Sequence, residues 1–534
     1  MSLLADTMQP LNINNLILQL INFGYFAEQV PTCFGAKRMT EYLDVLVKYI
    51  KDNEKGIKKN STGPTTLSIY KNDISRRVLS LPNPKSFLYL CNLMQKHWNE
   101  IQKYCESINS LSPITYIHIY NDIPLEMINS ESIRESNHSK SAFVDGVKNC
   151  IKASLGYKYR LKVDIANCYN SIYTHSISWA ICGKNEAKQY FRTKNPKTLK
   201  NAYEIADNLD AAIRNQKNNE TNGILTGPFT SRIISEIILC ALDKKLREKG
   251  FCFRRYVDDY KFYFRTEFQA QGSLPAIENI LNEYNLNLNI TKTAIERFPF
   301  EIISDIKEKL KIAFEEGGVF EVLNVASQLY FGGEKGAYKY ALKYIREKEP
   351  IKEDFQFILP LLINIMLIEP KNARFVIVYL IRFASYWNRN DVEKTINDEL
   401  SNSLNTDLQQ ETLTFIQMVK ELKLNLYAKN FILILKSQND FAIIIALDLW
   451  KNRKKSIKGK PTELKKIPSA LKELSDSLKG EIFSGSRWLI LHEIRLHKLL
   501  RTNLIPSPPP DDFFDLLFDN GISFYKEIRD TVEV

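Results

Sequence analysis

Phe251-Cys252-Phe253-Arg254-Arg255-Tyr256-Val257-Asp258-Asp259-Tyr260-Lys261-Phe262-Tyr263-Phe264 is the stretch on which the reading of this chain turns. It is aromatic and β-prone on both sides of a central Asp-Asp, which predicts a hairpin with two acids at its tip. Adjacent carboxylates at such a tip can share a pair of hard divalent cations, Mg²⁺ or Mn²⁺, about 4 Å apart, the arrangement that nucleotidyl transfer needs. A polar β-turn would leave the same string. The decision rests on what else the chain places in order around it.

Upstream, Tyr159-Arg160-Leu161-Lys162-Val163 alternates apolar and basic residues and predicts a half-buried strand ending at Asp164. That carboxylate would complete a metal site, with the backbone carbonyl of Ile165 as a further ligand. Tyr169, five residues on, could press on a sugar where a 2′-hydroxyl would sit. Next comes Gly223-Ile224-Leu225-Thr226-Gly227-Pro228, where a glycine allows close backbone approach. A helical pattern follows from Phe229 to Leu246, with Ile233, Ile234, Ile237, Ile238, Ala241 and Leu242 on one face. Thr230 or Ser231 is the expected cap and Gly250 the expected stop.

Two cationic pieces flank these. Lys71, Arg76 and Arg77 precede Leu79-Ser80-Leu81-Pro82-Asn83-Pro84 and could clamp a triphosphate from a stiff hairpin. Lys292, after Leu286-Asn287-Leu288-Asn289-Ile290, could protonate a leaving pyrophosphate. Each piece alone has an ordinary reading: surface cation, helix cap, core aromatic or loop. Their succession in polymerase order is what carries weight. Asp164, Asp258, Asp259 and Lys292 are the candidate catalytic residues. Asp164, Ile165, Asp258 and Asp259 are the candidate metal ligands, and Lys71, Arg76, Arg77, Tyr169, Gly227 and Pro228 would contact nucleotide.

Bulk properties agree with this. The 534 residues are 44% hydrophobic and 25% charged, with 26 Tyr and 29 Phe, which excludes a disordered or fibrous chain. The net charge of +11 suits a polyanionic partner. Cys33, Cys91, Cys105, Cys150, Cys168, Cys182, Cys240 and Cys252 form no C-x-x-C pair, so neither a zinc site nor a disulfide framework is expected, and a reducing cytoplasm is the expected compartment. Met1 to Asp6 lacks the start of a secretory signal. The most apolar run, Phe357 to Ile368, is too short for a membrane span of about 20 residues and reads as a buried helix.

Lys51 to Thr66 reads as a loop. The character changes near residue 320, beyond which helices are expected at about 354–367, 372–386, 407–422, 426–436, 440–451, 464–479 and 487–500, then a short piece after Pro506 to Pro510. The basic cluster Lys451, Arg453, Lys454, Lys455, Lys458, Lys460, Lys465 and Lys466 reads as a solvated loop rather than a nucleic-acid contact.

The set Arg77, Leu81-Pro82-Asn83-Pro84, Asp164, Tyr169, Gly227-Pro228 and Tyr256-Val257-Asp258-Asp259 resembles the fingers and palm of reverse transcriptases. Ser171-Ile172-Tyr173-Thr174-His175-Ser176, followed by Trp179-Ala180, is similar to a signature of bacterial abortive-infection reverse transcriptases, the AbiK-like group, and within it to the member carried by P2-like prophages. So are Gly183-Lys184, Ala187-Lys188, Asn208-Leu209-Asp210, Gln216, Thr221-Asn222-Gly223-Ile224 and Ser486-Arg487-Trp488-Leu489. Ser178 and Leu225-Thr226 depart from the group's usual residues.

The resemblance implies an α+β fold. Residues 1–320 would be a reverse-transcriptase-like domain, with fingers to about 115 and palm from about 116. Residues 321–534 would be an α-helical, HEAT-like domain in place of the usual thumb. It also implies untemplated DNA synthesis from dNTPs, primed by a protein tyrosine and leaving DNA covalently attached, in a homo-oligomer that excludes phage and has no membrane association. Tyr25, Tyr42, Tyr49, Tyr70 and Tyr525 lie near the ends of the chain; none is assigned as the primer. An RNA-templated reverse transcriptase and an inactive nucleic-acid-binding scaffold are the alternatives.

Overall fold

The computed structural model describes residues 7–71, 75–112, 114, 116–119, 137–300, 306–334 and 336–526; the amino-terminal hexapeptide read for a leader lies outside them. Eight strands are used below: β1 (Thr7–Pro10), β2 (Thr65–Tyr70), β3 (Arg76–Leu81), β4 (Tyr116–Ile119), β5 (Tyr159–Asp164), β6 (Phe253–Tyr256), β7 (Asp259–Phe264) and β8 (Ala294–Arg297).

The central sheet is antiparallel, in the order β6-β7-β5-β8. Side chains alternate between its faces. Leu161 and Val163 of β5, Tyr260 and Phe262 of β7, and Phe253 and Arg255 of β6 share the core face by register. All are buried there. Asp164 and Asp259 pair directly and therefore share the opposite face. β2 and β3 form a separate hairpin, and β1 pairs with β4.

The helix Phe229–Glu248 forms as its isoleucine spacing predicts, and Gly250 ends it at φ +83°. The Phe251 amide closes back on the Leu246 carbonyl at 3.2 Å. The expected caps are wrong. Pro228 is the N-cap, and Thr230 and Ser231 lie buried inside the first turn without capping it. Proline presets the backbone angle there, and Thr230 Oγ1 has no partner among the described residues. The helix is also less one-sided than predicted, because Glu236, Cys240 and Asp243 are buried too.

Lys51 to Thr66 is a loop only at 60–64. It carries the end of helix Leu43–Asp52, the helix Glu54–Lys59 and the start of β2. Glu54 in the first turn and Lys58 and Lys59 in the last match the helix dipole, and Ile57 anchors it in the core.

The remainder is helical: Phe355–Ile368, Ala373–Arg382, Arg389–Asn405, Gln409–Glu421, Ala428–Lys436, Asp440–Asn452, Ile467–Ser477, Trp488–His497 and Asp512–Asp519. The sequence pattern revealed neither Ala337–Ile345 nor Arg389–Asn405. The buried apolar stripe of Arg389–Asn405 is only Val392, Ile396 and Leu400 in a polar background. The run ending at Ile368 is a helix but is not buried all round, since Phe357, Leu367 and Ile368 are exposed. No helix among the described residues is long and apolar enough to cross a membrane. The basic cluster is more ordered than a loop: Arg453 donates to the Lys420 and Leu424 carbonyls and Lys454 sits over the Trp450 ring, whereas Lys458, Lys460, Lys465 and Lys466 stay exposed. The eight cysteines are all free.

The segment Ile306–Phe331 is two helices broken at Gly317-Gly318, where Gly318 takes φ +66°. The residues on either side of this break share one continuous core. The carboxy-terminal stretch also returns onto the β2–β3 hairpin. Gln409 and Gln410 side chains accept from the Ser68 and Tyr70 amides at 2.9 and 2.8 Å. Asn83 donates to the Phe483 carbonyl at 2.7 Å, and Thr65 to that of Ser486 at 2.7 Å. The edge of β2 is thereby covered, which removes an open site for strand pairing.

Candidate active site

The three acids converge. Asp164 ends β5, Asp259 begins β7 directly opposite, and Asp258 occupies the β6–β7 turn. One carboxylate oxygen from each lies within 4.8 Å of the others. Asp164 is buried and its Oδ2 accepts from Asn289 Nδ2 at 2.7 Å, with Lys292 Nζ at 3.1 Å. Burial, then the neighbouring Asp258 and Asp164 charges, push Asp259 up to about 6. Burial and Asp164 raise Asp258 as well, against the lowering pull of Lys292 and Arg77. Three crowded carboxylates form a donor set whose mutual repulsion a divalent cation would relieve.

Ile165 follows Asp164 directly at the end of β5. Ala166 donates to the Asn287 carbonyl and Asn289 to that of Asp164, both at 2.8 Å. These bonds bracket Ile165, so its own carbonyl points to the opposite side of the strand, where β7 lies.

The other pieces are tied to this centre by backbone contacts. Ile224 donates to the Tyr169 carbonyl and Gly223 to that of Ile172, each at 2.8 Å. Gly223 takes φ +81°, and a Cβ there would meet the Asn170 carbonyl oxygen at 3.0 Å. Tyr169 is partly covered, and burial pushes its phenol up to about 12; Asp258 is among the charges it feels. Thr226 accepts from the Ser80 amide at 2.8 Å, and Gly227, at φ +133°, has its Cβ position 3.3 Å from the Ser80 carbonyl oxygen. The backbone that Gly227 approaches is thus that of β3, with Pro228 following as the helix cap.

Arg76 and Arg77 point to opposite faces of β3. Arg77 is exposed and near enough to lower Asp258. Arg76 is turned the other way: it makes a two-pronged pair with Glu411 at 3.0 and 2.6 Å and contacts Ser68 Oγ at 2.9 Å. Lys71 is exposed at the turn end of the hairpin, its amide donating to the Ser75 carbonyl at 3.3 Å. Among the tyrosines, Tyr25 is buried and donates to the Pro82 carbonyl at 2.7 Å. Tyr525 is buried and donates to Asp448 at 2.5 Å beside Lys420. Tyr42, Tyr49 and Tyr70 are half-buried.

Sequence reasoning missed what lies beneath the hairpin. Arg255 is fully buried and bonds Glu236 at 2.8 and 3.0 Å and Asp243 at 2.9 Å. The available signal was two acids seven residues apart inside an otherwise apolar helix, with an arginine in the neighbouring strand.

Residues 93–327 match the family model for reverse transcriptase (RNA-dependent DNA polymerase). No curated protein matches the chain. Among solved structures, apo telomerase of Candida tropicalis is 13% identical over 77% of this chain and 75% of its own, with a TM-score of 0.30. The same telomerase truncated of its C-terminal domain is 15% identical over 45% and 51%, with a TM-score of 0.27. Candida albicans telomerase in complex with a fragment of telomeric RNA is 14% identical over 71% and 66%, with a TM-score of 0.26. The match thus spans about half of the truncated telomerase. Strand-end Asp164, the Asp258-Asp259 hairpin and the family match fall in one stretch of chain: residues 93–327 are a reverse-transcriptase-type polymerase domain, joined to a helical carboxy-terminal region.

Proposed function

We propose that this protein is a DNA polymerase of the reverse-transcriptase type, acting in anti-phage abortive infection by protein-primed, untemplated synthesis from dNTPs. The observation that carries the polymerase reading is the cluster of Asp164, Asp258 and Asp259, with the Arg77 charge near enough to lower Asp258. Asp164, Asp258, Asp259 and the Ile165 carbonyl would hold Mg²⁺ or Mn²⁺, which supplies activation of the attacking oxygen and charge stabilisation on the triphosphate. Arg77 and Lys71 would bind the triphosphate. Tyr169 would exclude a 2′-hydroxyl. Lys292, which reaches Asp164 at 3.1 Å, would deliver a proton to the departing pyrophosphate.

The untemplated, protein-primed part of the reading is supported by the resemblance over Ser171 to Ala180. Tyr25 and Tyr525 are committed to buried hydrogen bonds, and no tyrosine is assigned as the primer. The HEAT-like domain and the homo-oligomer belong to the same reading.

The test is to incubate purified protein with Mg²⁺ or Mn²⁺ and dNTPs, without template or primer, and to run a denaturing gel. Protein-linked product that grows with dNTP is the expected result. Product only with added RNA template and primer would replace this reading by a templated reverse transcriptase. No product in either condition would leave a nucleic-acid-binding scaffold.

A further inference from the structure

Val257 is the first of the two residues that connect β6 to β7, since Tyr256 pairs directly with Asp259. It takes φ +54°. In a two-residue hairpin that position ordinarily goes to glycine, asparagine or aspartate. A β-branched residue there is a genuine outlier and is strained. Such strain persists only where the surroundings impose it.

Two side chains impose it here. The Val257 amide donates to Ser112 Oγ at 2.8 Å, and the Val257 carbonyl accepts from Arg255 Nη1 at 3.0 Å. Neither holder is loose. The segment bearing Ser112 runs beside β6: Arg255 donates its amide to the Asn109 carbonyl at 2.8 Å, and Leu111 donates to that of Arg255 at 2.7 Å. Ser110 Oγ also reaches Glu236 at 3.1 Å. The Arg255 guanidinium is fixed in turn by Glu236 and Asp243. The Val257 carbonyl belongs to the peptide plane shared with Asp258. Orienting that plane sets the direction in which Asp258 leaves the turn.

We infer that Ser112 and Arg255 are positioning residues for the metal centre: they hold Val257 in a conformation it would otherwise leave, and so keep Asp258 facing Asp164. This rests on reading the three aspartates as metal ligands. A buried arginine–acid cluster serving only as core would show itself in stability alone. A positioning role shows itself in metal affinity, and it makes a distinctive demand. Glycine at 257 adopts φ > 0 without strain, so it should render the Ser112 bond dispensable.

The test measures Mn²⁺ affinity of the full chain from the electron paramagnetic resonance of free Mn²⁺, with thermal stability recorded alongside. Ser112→Ala leaves the charge cluster intact and is expected to weaken Mn²⁺ binding about tenfold. Val257→Gly is expected to bind within about twofold of wild type, and Ser112→Ala with Val257→Gly to match Val257→Gly, because the glycine needs no restraint. Arg255→Lys, which keeps the charge and loses the fork, should follow the same pattern if it folds. An unchanged affinity in Ser112→Ala, or a double variant as weak as Ser112→Ala alone, overturns the inference. Asp258→Asn separates the two failures: if it binds Mn²⁺ as wild type does, the ligand assignment falls and this inference with it; if it loses binding while Ser112→Ala does not, only this inference falls.

Discussion

Asp164 and Asp259 stand directly opposite each other on β5 and β7, the last residue of one strand against the first of the next. Placing two acids on one face of adjacent strands, with a third in the turn, makes the metal-free site self-repelling. Asp259, pushed up to about 6 by burial and then by Asp258 and Asp164, titrates well above an unfolded aspartate at about 3.9. Between those values the folded state binds more protons than the unfolded, so this group's contribution to stability is present at low pH and lost as pH rises through about 6. Asp259→Asn should therefore raise the metal-free Tm at pH 7.5 and change it less at pH 5. With saturating Mg²⁺ at pH 7.5 the wild type should gain more than the variant, because the ion binds the native carboxylates. Thermal scans in EDTA and in Mg²⁺ at the two pH values check both signs.

Tyr169 carries a different prediction, on selectivity. Its phenol is partly covered, bonds the Ser235 hydroxyl and feels the Asp258 charge. Tyr169→Ala should raise ribonucleotide incorporation relative to deoxynucleotide by an order of magnitude or so, the range in which removing a shape constraint acts. An unchanged dNTP/NTP ratio in single-nucleotide assays would mean that Tyr169 is not the sugar gate.

Arg76 and Glu411 join the β2–β3 hairpin to the carboxy-terminal region. Glu411→Ala leaves a two-pronged guanidinium without its acid and should cost about 1–3 kcal/mol. Urea denaturation reads the loss, and hydrogen exchange should quicken over β2 and β3. A variant of unchanged stability and exchange would show that the hairpin stands without that pair.

Gly227 and Gly272 make a matched comparison. Gly227→Ala places a methyl 3.3 Å from the Ser80 carbonyl at φ +133°, and should destabilise by about 1–3 kcal/mol. Gly272 lies within the helix Glu267–Asn282 with nothing within 4 Å of its Cβ position. Gly272→Ala should stabilise by up to about 1 kcal/mol. The sign difference, measured by denaturant melts, is the check.

What could be read from the sequence was local. β5 follows from its alternation, the β6–β7 hairpin from its aromatics, and the helix Phe229–Glu248 from its isoleucine pairs. The cap at Thr230 or Ser231 was misplaced because Pro228 starts the helix earlier than a hydroxyl would. Arg389–Asn405 escaped notice because Val392, Ile396 and Leu400 leave too thin an apolar stripe. Arg255 gave no sign of its importance, because its partners Glu236 and Asp243 reach it only after the helix packs on the sheet. For the same reason Arg76 and Arg77 look equivalent in sequence and differ in space. Strand alternation sends one to Glu411 and the other toward Asp258, and nothing local says which.

The central claim is that Asp164, Asp258 and Asp259 form the metal centre of a working polymerase. Its most direct test is labelled dNTP incorporation by wild type and by Asp258→Ala in the presence of Mg²⁺ or Mn²⁺, with circular dichroism on both proteins. Incorporation by the wild type, none by the variant, and superimposable spectra are expected. Full incorporation by a correctly folded Asp258→Ala would contradict it.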